Sequence, residues 1–548
     1  MVNRITSDAH VIDANKALPA DTDVIVRTVP LGGSAFSRAL QEARIGRDWM
    51  TPRPTDAAGW RMRATAVHNA HRTTDWLTAL APAIAATGRA AERLGRAASS
   101  GVVVTTGQQP GLFGGPAYTW SKALCALAMA DELEATVGMP VAPIFWAASD
   151  DADWMEAAVT HVVTARGLET LTLPGPPTDG VAMADVALGD VTLCIERLRA
   201  ASGSIAHPSV LDVVEAAYVP HSTIGAAYVH LLRALLEPMG IAVLDAAHSA
   251  FRNASDPFLR NALVRAAPAA EALAARTRDI RAAGFEPQVD PIDDLTLVFR
   301  SQIGTSGRAS DRVRERVPLK DAARVAREAD VGTLGANVLL RPVLERALLP
   351  TMTYMAGPGE YAYFAQVSAV AEALSAERPV VSPRWAGEII DVDATALLED
   401  LAIDESLLHD PHAAESELAR RSVAEDVQDA LERLRVATDT QLRALRDAIA
   451  HDDAVVAPEV VSGLERDVMH KLERFERRVL SGVKRRESES MRRVAFARAW
   501  FRPLGSSPER VLNLLPIIAR YGLSVFTRMH DAALVHARTL VQGAAEES

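Results

Sequence analysis

Cysteine is scarce in this chain. Cys125 and Cys194 are the only two among 548 residues. Two thiols cannot make a disulfide framework, and they show no zinc-binding spacing, so both are expected to be buried and free. Positive charge is also in deficit. The formal net charge is -12, which argues against a nucleic-acid partner, since phosphate backbones are met by basic faces. A small anion held by a few local donors stays possible. No run approaches the roughly 18–20 continuous apolar residues of a membrane span. Met1 to Asp13 lacks the apolar stretch of a secretory signal. The expectation is therefore no membrane partner and a cytoplasmic location. The 14 histidines show no HExxH spacing, and GxSxG, GxxxxGK[ST] and GxGxxG are absent. No metal site is expected.

Core-forming residues are plentiful. Hydrophobic residues make up 49% of the chain, and its length exceeds the roughly 250–300 residues at which a single core stops growing, so more than one domain is expected. Residues 1–100 read as mostly helical after a loose start. Gly101 to Thr106 is a β-branched run that reads as a buried strand, ending in Gly-Gln-Gln-Pro-Gly. A helix should start near Pro116 and stop at Gly138. Val141 to Ala147 is a second strand. Strand, Gly-rich loop, helix and strand form the unit of a parallel sheet, hence an α/β fold. Ile241–Asp245, Leu295–Phe299, Thr351–Ala356 and a final strand at Pro379–Arg384 read as further strands, and residues 302–337 as a hairpin or a mobile loop. Beyond residue 400 the period changes. Val423, Val427, Leu431 and Leu434, then Leu464, Val468, Leu472 and Phe475, recur every three or four residues. They predict two amphipathic helices joined near Pro458, an antiparallel coiled-coil hairpin. The chain divides into a core (1–400), a helical arm (401–500) and a closing segment that packs back on the core (501–548). A turn and a mostly apolar helix over Pro503–Gly522 are the last element read.

Three junctions carry candidate chemistry. The loop Gly107, Gln108, Gln109, Gly111, Gly114 and Gly115 follows a strand and precedes a helix, where free N–H groups and the helix dipole favour an anion. Tyr118 and Lys122 follow on one helical face and are placed to meet a phosphate or carboxylate. Ser149, Asp150, Asp151 and Asp153 follow the second strand, where α/β sheets bind ligands; they suit an amine, a sugar hydroxyl or Mg²⁺. Gly357 to Gln366 is another loop-to-helix junction, with Glu360, Tyr363 and Gln366 near one face and Glu360 as a possible base. Arg384 lies at a strand exit, suited to a carboxylate. Structural turns, helix caps and first-turn acids are the bland alternatives at each place.

Five segments together resemble the bacillithiol-biosynthesis cysteine-adding enzymes, the BshC family of cysteine ligases: TTGQQPGLFGGPAYTWSK (105–122), PVAPIFWAASDDADWMEA (140–157), AGFEPQV (283–289), NVLLRPVLERALLPTMTYMAGPGEYAYFAQV (337–367) and PERVLN (508–513). One departure stands out. The family's second loop usually reads SEDHD, and here Ala152 occupies the His position. The resemblance implies a Rossmann-like core with insertions, a coiled-coil arm and a homodimer formed through it. It implies ligation of L-cysteine to the amine of glucosaminyl-malate, with a nucleotide (ATP or ADP) associated. Glu360, Asp150 and Asp151 are then catalytic candidates, and the other named residues contact substrate. Another carboxylate–amine ligase or nucleotidyltransferase, or a non-catalytic metabolite-binding dimer, are the alternatives.

Overall fold

The computed structural model describes residues 24–46, 48–175, 179–303, 312–451 and 456–543. Twelve strands occur among them: β1 (Val24–Thr28), β2 (Val102–Gln108), β3 (Val141–Ala147), β4 (Val159–Thr164), β5 (Gly167–Thr172), β6 (Ala242–Asp245), β7 (Leu295–Ile303), β8 (Arg312–Pro318), β9 (Leu334–Ala336), β10 (Thr351–Ala356), β11 (Val381–Pro383) and β12 (Gly387–Asp391). Five make the central sheet in the order β11-β10-β2-β3-β6, every neighbour parallel. The runs are apolar throughout because both faces are covered. Successive side chains then go to opposite cores. Val102, Val104, Phe145 and Val243 enter one core with the helix Ala117–Val137. Val103, Ile144, Trp146 and Leu244 enter the other with the helices Gly88–Ser100 and Pro358–Ala373.

The helix over Ala117–Val137 starts and stops where the sequence predicts. Pro116 precedes it, and Gly138, at φ 72°, ends it in the left-handed conformation. The strands β4, β5, β9 and β12 go beyond those the sequence predicts, and two further differences concern β1 and β11. Residues 24–28 form a strand inside the region expected to be helical, because their partner is distant: β1 pairs antiparallel with β12, from Val24 opposite Asp391 to Thr28 opposite Gly387. For the same reason β11 is not the final strand. The strand expected at Leu295–Phe299 is β7, which runs on to Ile303; within 302–337, which reads as a hairpin or a mobile loop, β8 and β9 both pair with β7 in a small antiparallel sheet β8-β7-β9 instead of with each other.

Glu425–His451 and Pro458–Arg486 are the two arm helices. They run antiparallel. Arg446 meets Glu465 at 3.3 Å near the tip, and Arg486 Nη2 donates to the Ser422 carbonyl at 2.9 Å at the base. One further helix, Ser524–Gln542, closes the described chain. It lies against Ala117–Val137, with the Trp120 and Phe526 rings 5.3 Å apart and Gln542 donating to Glu132 at 2.6 Å. No described helix is long and apolar enough to cross a membrane.

Candidate active site at the strand ends

The sheet order reverses between β2 and β10. From β2 the chain crosses to β3 on one side; from β10 it crosses to β11 on the other. The two connections diverge and leave a crevice at the carboxyl ends, the place where open α/β sheets bind ligands. A cavity of about 750 Å³ opens there. Its floor is Gly107, Gln108 and Gln109. Asp150, Asp151, Ala152 and Glu156 line one side, Glu360 and Tyr363 another, and Arg252, Phe299 and Arg316 complete the lining with Arg314, which lies beside Asp150.

Lys122 joins the two diverging loops. Its ammonium, on the helix after β2, lies 2.6 Å from the Glu360 carboxylate, on the helix after β10. It also donates to the Gly107 carbonyl at 2.9 Å and to Gln108 Oε1 at 2.8 Å. Three acceptors thus take its three donors. Glu360 Oε2 also accepts from Gly357 N at 2.8 Å, and Oε1 from the Tyr354 hydroxyl at 2.6 Å. Burial alone would push its pKa up; Lys122 and Arg341 outweigh that and hold it below the usual carboxylate range. Glu360 is therefore an anion that ties the crevice together.

The acid side is different. Burial raises the pKa of Asp151, with Arg314 opposing and Asp150 adding to the rise. One Asp151 oxygen accepts from Asp153 N at 2.9 Å. Asp150 is pinned by Arg314, 3.6 Å from its carboxylate. Asp153 caps the short helix Trp154–Ala157 and accepts from Gln109 at 3.2 Å. Glu156 escaped the sequence reading, although it follows Asp153 by one helical turn. It gathers Gln108 at 2.9 Å, Gln109 at 2.5 Å and the Tyr118 hydroxyl, and burial raises its pKa as well.

Other expected site residues sit behind this cavity. Gly111, Gly114 and Gly115 do not line it. Their part of the loop is held by the buried Asn513 side chain, which donates to the Phe113 carbonyl at 3.0 Å and the Gly115 carbonyl at 3.2 Å. Gly114 has φ 85°, and a Cβ there would come within 2.4 Å of the Trp120 ring. Ser149 bonds Asp245 and so ties the ends of β3 and β6. Gln366 bonds the backbone of Val289, at 2.7 Å through its nitrogen. Arg384 does meet a carboxylate, but an internal one: Glu509, at 2.6 and 2.9 Å, both partners buried. Arg341, which also lines the cavity, reaches Glu345 at 3.1 Å and the hydroxyls of Tyr354 and Tyr363 at 3.2 and 3.4 Å. The spacing of Arg341 and Glu345, four apart on the helix Arg341–Leu348, was the available signal. Asn513 offered none beyond its place in the resembling PERVLN segment.

Comparison with known proteins bears directly on this arrangement. Residues 55–385 match the bacillithiol biosynthesis BshC N-terminal Rossmann-like domain, the segment that builds the sheet and its cavity. Residues 390–539 match the BshC C-terminal coiled-coil domain. The chain belongs to the BshC family. Within it, a protein of Solibacter usitatus is 30% identical over 80% of this chain and 84% of its own length. One from Koribacter versatilis is 31% identical over 81% and 83%, and one from Bacillus cereus 24% identical over 78% and 82%. All three bear the name "Putative cysteine ligase BshC".

Among the described residues, no group of three or more His, Cys, Asp and Glu side chains is placed to hold a metal ion. The loop after β2 is a poor phosphate cradle: Gly114 abuts the Trp120 ring, Gly115 is bonded by Asn513, Gly111 packs on Gly115, and the lysine is fully bonded within the protein.

Proposed function

We propose that this chain is a carbon–nitrogen ligase that joins the carboxyl of L-cysteine to the amine of glucosaminyl-malate, forming bacillithiol. The observation that carries the reading is Asp151: a carboxylate at the carboxyl end of β3, in the strand-end cavity, with its pKa raised by burial. A base is most effective when its pKa approaches the working pH. Asp151 meets that requirement better than Glu360, whose oxygens are occupied and whose pKa is lowered. The amine nitrogen attacks the cysteine carboxyl carbon, and one amine proton passes to an Asp151 oxygen. Amide formation from a free carboxylate is uphill in water, so the carboxyl oxygen must depart within a better leaving group than hydroxide. Glu156 fixes Gln108, Gln109 and Tyr118, and Asp150 stays with Arg314. Ala152 presents only a methyl group to the cavity, so no imidazole acts from that position. Glu360 and Lys122 hold the two walls in register. Gln109 and Tyr363 contact the substrate from floor and side.

The same reading places the enzyme in the cytoplasm and pairs two copies through the arm, where Val436 and Phe475 are 54% and 53% exposed. Deleting the gene tests the function. Thiol profiling should show bacillithiol lost and glucosaminyl-malate accumulated. Unchanged bacillithiol would reject the reading.

A further inference from the structure

The cavity carries both signs of charge. Carboxylates with raised pKa values stand at its β3 side, and the guanidinium groups of Arg252, Arg314 and Arg316 line it as well, Arg314 beside Asp150. The strand β8 reads Arg312-Val313-Arg314-Glu315-Arg316, and a strand's period of two puts the three arginines on one face. Two of them have internal partners: Arg312 lies 3.8 Å from Asp185, and Arg314 lies 3.6 Å from Asp150. Arg316 and Arg252 do not. Both line the cavity, and among the described residues neither guanidinium has a hydrogen bond or an ion pair. Arg316 lies 5.4 Å from the centre of the Phe299 ring, which orients it without neutralising it. Burial lowers the pKa of both; for Arg316 it is the only cause, and for Arg252 the more distant carboxylates of Asp150 and Asp185 oppose it without reversing it. A partly desolvated cation facing an open cavity with no carboxylate in contact is costly, and a ligand anion that pairs with it directly lowers that cost.

We propose that Arg252 and Arg316 form the subsite for the two carboxylates of a dicarboxylate-bearing amine substrate, turning its amine toward Asp151. A planar guanidinium matches a carboxylate through two parallel N–H donors, and two unpaired guanidiniums match two carboxylates. The identity of the substrate as glucosaminyl-malate rests on the ligase reading; the dicarboxylate subsite does not.

Calorimetric titration of the full-length protein with L-malate, with glucosaminyl-malate and with ADP tests this. The series is the unaltered protein, Arg252→Gln, Arg316→Gln and Arg316→Lys. Each Gln variant is expected to weaken both malate-bearing ligands about tenfold or more, the usual effect of losing a charge-assisted hydrogen bond. Arg316→Lys should lose less, and ADP binding should not change. Unchanged malate binding in both Gln variants overturns the subsite. So does weakened ADP binding in place of weakened malate binding, which would make it a phosphate site, and so does an unaltered protein that binds neither malate-bearing ligand. Malate binding that falls in the variants, in a protein whose gene deletion leaves bacillithiol unchanged, would uphold the subsite and reject the ligase reading.

Discussion

The Lys122 ammonium and the Glu360 carboxylate meet at 2.6 Å across the crevice where the sheet reverses its order. Each lies in the first two turns of a helix that follows a different central strand, so this one contact sets the distance between the two loops that frame the cavity. Removing either partner strands the other charge in a buried place. Lys122→Met or Glu360→Gln should each cost about 3–5 kcal/mol of unfolding free energy. The double variant should lose clearly less than the sum. Urea denaturation of the three variants measures it; additive losses would show that the pair is not coupled.

Gly114 is expected to tolerate no side chain. Its positive φ and the Trp120 ring both oppose a Cβ. Gly114→Ala should lose about 2–4 kcal/mol, combining backbone strain with overpacking. A melting temperature within a degree or two of the unaltered protein would contradict the loop geometry.

Arg384 and Glu509 separate support from substrate contact. Arg384→Met should cost about 3–5 kcal/mol by leaving Glu509 buried and unpaired. Arg384→Met with Glu509→Leu should recover most of that loss. Denaturation curves for the two variants decide it. Full stability in the single variant, together with weakened substrate binding, would make Arg384 a substrate ligand instead.

Glu345 predicts a pH dependence of stability. Burial raises its pKa from 4.5 to about 7. Between those values the folded chain binds more protons than the unfolded chain, so this contribution is complete below the unfolded pKa and is lost as pH rises through about 7. Glu345→Gln should flatten the fall in melting temperature across that window. An identical pH profile for the variant would place the proton elsewhere.

Much of this architecture is legible in the residues because it is local. Val102 to Val104 and Val141 to Ala147 announce buried parallel strands, and Pro116 and Gly138 bracket the helix between them. The position of the crevice follows from strand order, which no single segment encodes. β1 lies on ground that reads as mostly helical, because only its pairing with β12 reveals it. At the site, residue type points to Asp151 and to Gln109, both of which line the cavity. It could not tell Gly107, which faces the cavity, from Gly114, which faces Trp120. Nor could it show that Arg384 already owns a carboxylate, since Glu509 arrives from the far end of the chain.

Asp151 is where the account is most exposed. The decisive measurement is the bacillithiol content of a strain lacking the gene and complemented with Asp151→Asn, once the variant's melting temperature shows that it folds. The account predicts no bacillithiol and an accumulation of glucosaminyl-malate, while the complement with the unaltered gene restores both to normal. Bacillithiol at the unaltered level with Asp151→Asn would contradict it.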